Sequence, residues 1–321
     1  MENKTLPDFV SPQHNYYTLD YYFKTKYNSK VFKVALNGNF SCPNRDGKIS
    51  KEGCIFCSDS GSGDFAGDKQ DPLKKQFQII KDIIHLKWKD ALYIAYFQAN
   101  TNTYAPLDKL KSLFEEAITL DKNIVAIDIA TRPDCLSNDC LDYLEELNTR
   151  CKVIIELGLQ TIHENTAKLI NRGYDLKCFE SSLKKLRDRN IEVIVHIING
   201  LPHETKEMML KTASYLSHQD IQGIKIHSLF ILKGTKIASM YENNEFKLQT
   251  LEEYVETTSN QLALLRDDIV IHRISGDPPK SLHIAPDWCL KKFVVMNEID
   301  KYMKKNNIIQ GAHFYNLSTK K

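Results

Sequence analysis

Six apolar runs punctuate the chain: VFKVAL (31–36), ALYIAYF (91–97), NIVAIDIA (123–130), KVIIELGL (152–159), IEVIVHII (191–198) and IQGIKIHSLFIL (221–232). Each has the length and composition of a buried strand. Between them the apolar period changes. Leu110, Phe114 and Ala117 fall at i, i+4 and i+7, as do Phe179, Leu183 and Leu186, and again Met209, Ala213 and Leu216. Leu141, Leu144 and Leu147 form a similar stripe. Each set lies on one face of a helix and predicts core packing. Strand, helix, strand, repeated about six times, predicts an α/β protein with a parallel sheet of βαβ units.

Strands of such a sheet are covered on both faces and should be almost wholly apolar. Several of these are not. Side chains alternate, so Gln98 and Asn100 share a face with Tyr96, and Asp128 shares one with Arg132. Glu156, Gly158 and Gln160 share a face of the fourth run. His196 and Gly200 share one in the fifth, and His227 lies in the sixth. Each polar set sits at or beyond the C-terminal end of its strand, the edge where α/β folds bind ligands. The pattern predicts one shared polar cavity.

Beyond about residue 235 the pattern differs. Thr250 and Glu253 predict a capping box before a helix running to Leu265. A loop rich in Gly and Pro follows (273–288), then a helix from Cys289 to about Lys304. The expected division is 1–235 for the main domain and 236–321 for a C-terminal extension packed on it.

Composition narrows the function classes. Of 321 residues, 43 are Lys or Arg and 41 Asp or Glu, a formal charge of +2. That balance excludes a whole-molecule electrostatic trap for nucleic acid and leaves local patches open. No apolar run approaches the roughly 18–20 residues that span a bilayer. The start, MENKTLPDFV, has no basic segment followed by an apolar one. The expected location is therefore the cytoplasm, with no membrane partner. Eight cysteines in a chain this long are not a disulfide framework.

Three of those cysteines stand together in SCPNRDGKISKEGCIFCSDSGSGDF (41–65), spaced C-x11-C-x2-C at Cys42, Cys54 and Cys57. Three thiols in one glycine-rich loop point to a metal site. A lone C-x2-C redox pair leaves Cys42 unexplained. Structural zinc wants a fourth ligand, and the loop holds no histidine. An iron–sulfur centre with one iron open to another ligand accommodates three cysteines. The residues leave all three readings open. Cys135, Cys140, Cys151, Cys178 and Cys289 are scattered and read as small buried hydrophobes.

At these residues the chain resembles radical SAM proteins of the YhcC/YtqA type, related to the Elp-three radical SAM domain. The resemblance runs nearly end to end. It is carried by LNGNFSCPNRDG (36–47), GCIFC (53–57), YFQANTNTYAP (96–106), TRPDCL (131–136), ELGLQTIHENTAKLINRG (156–173), HIINGLPHETKEMMLKTA (196–213), GIKIHSLFILKGT (223–235) and RISGDPPKSLHIAPDWCLKK (273–292). The superfamily's commonest spacing is C-x3-C-x2-C; the eleven-residue first gap matches the YhcC-like branch.

The resemblance implies a partial (β/α)6 TIM-like barrel with a C-terminal helical extension and a [4Fe–4S] cluster. Cys42, Cys54 and Cys57 would hold three irons, and the fourth would chelate S-adenosylmethionine. Reductive cleavage would then yield a 5′-deoxyadenosyl radical that abstracts a substrate hydrogen, inside an enclosure that shields the radical. The electron would come from a one-electron donor such as a flavodoxin or ferredoxin. Phe56 matches the aromatic against the adenine. Gln98 and Ala99 stand where the methionyl amino group is bound, without the usual Gly-Gly-Glu form. Glu156 and Gln160 match positions facing ribose or carboxylate. Asn199 and Gly200 match the fifth-strand turn. Ser228 to Phe230, Leu229 at the centre, match the segment offering backbone to adenine. Arg132, Arg172, His196 and His227 are candidate substrate residues, the arginines through their bidentate forks.

The substrate follows less directly. Lys280, Lys291, Lys292, Lys301, Lys304, Lys305, Lys320 and Lys321 interleave with Trp288, Phe293, Tyr302, Phe314 and Tyr315. Such a mixture suits a phosphate backbone and an unpaired base, or simply a solvated lysine face. By resemblance, the expected substrate is the 5-substituent of a tRNA wobble uridine, splayed into the barrel mouth. Two alternatives stand beside it: a radical SAM enzyme acting on a small metabolite or protein side chain, and a non-enzymatic metal-binding or electron-transfer module.

Overall fold

The computed structural model describes residues 6–61 and 63–314; Tyr315, Lys320 and Lys321 lie outside them. In chain order the elements are α1 (Leu19–Tyr27), β1 (Val31–Leu36), α2 (Leu73–His85), β2 (Leu92–Phe97), α3 (Leu107–Thr119), β3 (Ile124–Thr131), α4 (Asn138–Asn148), β4 (Lys152–Gln160), α5 (Glu164–Leu169), α6 (Leu176–Arg187) and β5 (Glu192–Asn199). There follow α7 (Lys206–Ser217), β6 (Gly223–Ser228), β7 (Ile231–Leu232), α8 (Lys236–Glu242), α9 (Leu251–Leu264), β8 (Val270–Arg273), β9 (His283–Ala285) and α10 (Lys292–Lys305). The main sheet has seven strands in the order β1-β2-β3-β4-β5-β6-β8. This is an α/β partial TIM-like barrel with a helical C-terminal part.

The helical stripes pack as their spacing requires. Leu110, Phe114, Ala117, Leu141, Leu144, Leu147, Phe179, Leu186, Ala213 and Leu216 are all within 1% of complete burial. The box at the start of α9 closes: Glu253 N donates to Thr250 Oγ1 at 3.2 Å and Thr250 N to Glu253 Oε2 at 2.9 Å. Three expectations need correction. The run 221–232 is two strands, because Leu229 N turns aside to donate to Asn199 O at 2.9 Å. The last helix begins at Lys292 rather than Cys289; Asp287–Leu290 is a separate turn of 3-10 helix. A seventh strand, β8, lies in what reads as the tail and pairs in parallel with β6.

The chain divides into two compact units. One comprises Phe23–Leu159 with Ala167–Val195. Here β1 to β4 pair in parallel, with one register shift between β2 and β3 at Tyr93 and Ile94, and place Ala35 beside Tyr96, Tyr96 beside Asp128, and Ala130 beside Glu156. Val34 and Leu36 point to one face and are fully buried. Phe40, Phe97, Phe114 and Tyr143 form a chain of ring contacts at 5.2–6.5 Å. The other unit comprises the remaining described residues. In it α9 packs on α7 and α10, and β7 pairs antiparallel with β9. Among the described residues no helix is long and apolar enough to cross a membrane.

Candidate active site

The loop leaving β1 carries the three cysteines, and its backbone holds them in a compact turn. Arg45 N and Asp46 N donate to Cys42 O at 2.8 and 3.1 Å, and Cys57 N donates to Cys54 O at 3.0 Å. Arg45 reaches across the loop to Cys57 O at 3.1 Å and to Ser58 O. Asn100 N donates to Gly61 O and Thr101 N to Ser41 O, tying the loop to the chain beyond β2. Glycine is required at Gly63, where a Cβ would stand 2.6 Å from Ala99 Cβ. Ala99 is thereby buried beneath the loop, while Gln98 and Phe56 are part-exposed.

All three cysteines are part-exposed as residues. Cys54 hydrogen-bonds Cys57, and this, with burial, holds its thiol well above the usual range; Arg132 and Asn44 pull in the opposite direction. Arg132 lies within electrostatic reach of Cys42 as well. Among the described residues, no three His, Cys, Asp or Glu side chains converge closely enough to hold one metal ion. A mononuclear zinc would need its sulfurs about 2.3 Å from one point. A cluster offers each thiolate its own iron; Cys54 bonded to Cys57, and Arg132 within electrostatic reach of Cys42 and Cys54, are the donors and the charge in this loop that would suit one.

Asn44 is fully buried behind Cys54 and donates to its Sγ at 3.5 Å. Arg132 and Arg172 lie over the ring of Tyr174 at 4.8 and 4.7 Å. The fork of Arg132 is taken by Asp134, at 2.9 and 2.7 Å. Arg172 is 1% exposed and donates to Leu159 O and Tyr174 O at 2.8 and 2.9 Å. Both arginines thus brace the neighbourhood of the thiol loop.

Glu156 lies deeper in the same unit. Its Oε1 accepts from Lys33 Nζ at 2.7 Å and its Oε2 from Tyr96 at 2.6 Å. Lys33 also bonds Asp128, and its Nζ stands 5.1 Å over the Tyr96 ring. Burial alone would push the Lys33 ammonium down; Asp128 and Glu156 outweigh it, and its pKa ends above the usual value. A lone lysine inside the apolar run VFKVAL was the available signal for this network. Asn44 offers no such signal, because a polar residue in a loop is unremarkable until its burial is known.

The remaining candidates belong to the other unit. Asn199 and Gln261 exchange amide hydrogen bonds at 2.7 and 2.9 Å, and Asn199 O receives Leu229 N. Gly200, at φ +85°, donates to Met209 Sδ. Asn199, Gly200, Ser228 and Leu229 border a small pocket with Tyr254 and Trp288. Gln160 adopts φ +61° at the end of β4. His196 and His227 face each other with ring centroids 5.2 Å apart. Cys289 is buried beside Ser228, its thiol pushed up to about 12 by burial. Of the C-terminal aromatics, Phe293 is 76% exposed, whereas Trp288 is anchored by Nε1 to Gln249 O at 3.1 Å.

A parallel α/β barrel sheet with a three-thiol loop after its first strand defines a class of cluster-dependent enzymes. The chain matches the Radical SAM superfamily over residues 46–216 and the Radical_SAM C-terminal domain over 221–305. It is 47% identical to YtqA of Bacillus subtilis (strain 168) over 317 residues, covering 99% of this chain and 98% of that protein. The chain belongs to the radical SAM superfamily, whose cofactors are a [4Fe–4S] cluster and S-adenosylmethionine. A more distant relative is the tRNA uridine(34) acetyltransferase of Methanocaldococcus infernus, 27% identical over 194 residues, which are 59% of this chain and 35% of that protein. The archaeal Methanocaldococcus infernus Elp3 shares the fold, with a TM-score of 0.66 at 18% identity, over 88% of this chain and 64% of that one.

Proposed function

We propose that this radical SAM enzyme holds its cluster on Cys42, Cys54 and Cys57 and modifies the 5-substituent of a tRNA wobble uridine. The observation that carries the cluster assignment is the folded loop itself. It brings Cys54 against Cys57 and sets Arg132 within reach of both Cys42 and Cys54. When bound and reduced, the cluster supplies the electron that cleaves S-adenosylmethionine and so furnishes a hydrogen-abstracting radical.

The protein's own residues orient and enclose. Phe56 within the loop is assigned to the adenine and Gln98 and Ala99 beyond β2 to the methionyl amino end of the cofactor; Glu156 and Gln160 serve its ribose or carboxylate, Asn199 and Gly200 form the fifth-strand turn, and the Leu229 segment offers backbone to the adenine. The Lys33–Glu156–Tyr96 network holds the Glu156 carboxylate in one orientation. His196 and His227 are the side chains available to hold or move a proton at the substrate. The tRNA reading is supported by the relative named for tRNA uridine(34) and by Phe293, exposed directly after Lys291 and Lys292 in the chain. An exposed aromatic among lysines can stack a base and neutralise phosphates. A flavodoxin or ferredoxin is the proposed electron donor.

The test uses anaerobic, iron- and sulfide-reconstituted protein with S-adenosylmethionine and dithionite. Production of 5′-deoxyadenosine and methionine, lost in Cys42→Ala, Cys54→Ala and Cys57→Ala, is expected. Zinc uptake without iron and no cleavage would leave a metal-binding module instead. Glu156→Ala should weaken S-adenosylmethionine binding with iron content unchanged. For tRNA, affinity should fall steeply with salt and drop in Phe293→Ala. Cleavage without tRNA affinity would move the substrate to a small metabolite or protein side chain.

A further inference from the structure

Asn44 is fully buried, two residues after Cys42 and ten before Cys54. A buried amide is costly unless its groups are bonded. Its Nδ2 donates to Asn171 O at 2.5 Å and to Cys54 Sγ at 3.5 Å. The orientation is unambiguous, because a main-chain carbonyl can only accept, so the NH2 must face Asn171. Asn171 returns the bond to the same loop, with Nδ2 to Gly53 O at 2.6 Å and to Ser50 Oγ at 3.3 Å. Gly53 N donates to Asn44 O at 2.7 Å, and Ile55 N to Ile170 O at 3.1 Å. Both neighbours of Cys54 are therefore pinned, Gly53 by the Asn44 main chain and the Asn171 side chain and Ile55 by the Ile170 carbonyl, while the Asn44 amide points at the sulfur between them.

The other end of the amide is unsatisfied. Asn44 Oδ1 is buried without a hydrogen-bond partner, facing Gly173, where a Cβ would stand 3.1 Å away. An orphaned buried carbonyl is destabilising; an apolar side chain of the same shape would remove it but would strand the Asn171 carbonyl that Nδ2 satisfies. The amide is thus turned with its N–H side toward the Asn171 carbonyl and the Cys54 sulfur, and its own carbonyl is left unpaired.

We propose that Asn44 is a positioning residue that sets the reduction potential of the cluster through its N–H···Sγ bond to Cys54. The inference rests on the cluster assignment above. A hydrogen bond to a ligand sulfur withdraws electron density and favours the reduced cluster, so it raises the potential. Arg132 acts on the same sulfurs by charge, but Asp134 holds and largely neutralises it. Asn44 is the directed, neutral contribution. Asn44→Leu keeps the volume and removes the donor.

The experiment is an EPR-monitored redox titration of reconstituted wild type and Asn44→Leu, each normalised to its iron content. A more negative midpoint in the variant is expected. A merely structural role would lower iron content and leave the midpoint of the loaded fraction unmoved, and that result would overturn the proposal. Wild type labelled with [15N]asparagine gives a measurement independent of how well the variant loads. Pulsed EPR of its reduced cluster should show a nitrogen coupling that unlabelled Asn44→Leu, or labelled Asn44→Leu, lacks. Absence of that coupling in wild type overturns the proposal even if Asn44→Leu takes up no iron. A wild type that binds no iron overturns the cluster assignment itself, and iron analysis separates that failure from the others.

Discussion

At the scale of single residues, the consequential finding is a lysine. Lys33 sits in an otherwise apolar strand, and its ammonium joins two carboxylates whose side chains are fully buried. Removing one partner of such a network leaves uncompensated buried charge, which costs about 3–5 kcal/mol. Lys33→Met should therefore destabilise the protein by that amount in urea denaturation. Adding Glu156→Gln to Lys33→Met should recover part of the loss, since it removes one of the stranded charges. A Lys33→Met cost within about 1 kcal/mol of zero would mean the network is already compensated from elsewhere. The faces on which Asp128 and Glu156 stand were legible from alternation alone, although both lie in mid-strand and not at the C-terminal ends expected for them. What they bond was not, because a strand pattern gives the face and not the reach of a side chain from the neighbouring strand.

At the scale of elements, loops and helix contacts carry the site. Gly63 packs against Ala99 with no room for a methyl group. Gly63→Ala should lower iron uptake on reconstitution while leaving the far-ultraviolet circular dichroism of the sheet and helices unchanged. Normal iron uptake would show that the loop yields locally. On the other unit, α9 reaches β5 through Gln261, whose amide satisfies Asn199. Gln261→Ala should cost about 1–3 kcal/mol, because a buried amide loses its partner; a calorimetric change below that range would place water in the gap. The strand and helix periods were readable in the sequence. The split of the sixth run, the late start of α10 and the existence of β8 were not. The split and β8 depend on hydrogen bonds to distant segments, the start of α10 on a local turn of 3-10 helix, and a four-residue strand such as VIHR has too few positions to show a period.

At the scale of the whole molecule, stability is linked to pH through groups that folding takes out of water. Glu204, in the turn between β5 and α7, is raised above its ordinary value of 4.5 by burial, despite bonds from Thr161 and Thr166 and the nearby His163. A raised carboxyl binds its proton more tightly in the folded state. Its stabilising share is complete below pH 4.5 and is lost as pH rises through the folded pKa. Glu204→Gln cannot ionise. The melting temperature of wild type should fall relative to Glu204→Gln as pH rises from 4.5 to neutrality, and a constant difference would mean that the carboxyl is not desolvated.

Residue order alone was enough for the α/β class and for the C-x11-C-x2-C loop. These rest on local period and short spacing, which survive without any knowledge of distant contacts. Folding decided the surroundings of that loop: Asn44 behind Cys54, Arg132 and Arg172 on Tyr174, and Lys33 beneath Glu156. Those partners are separated by up to 123 positions in the chain. Only the parallel pairing of strands and the burial it enforces bring them within hydrogen-bonding range.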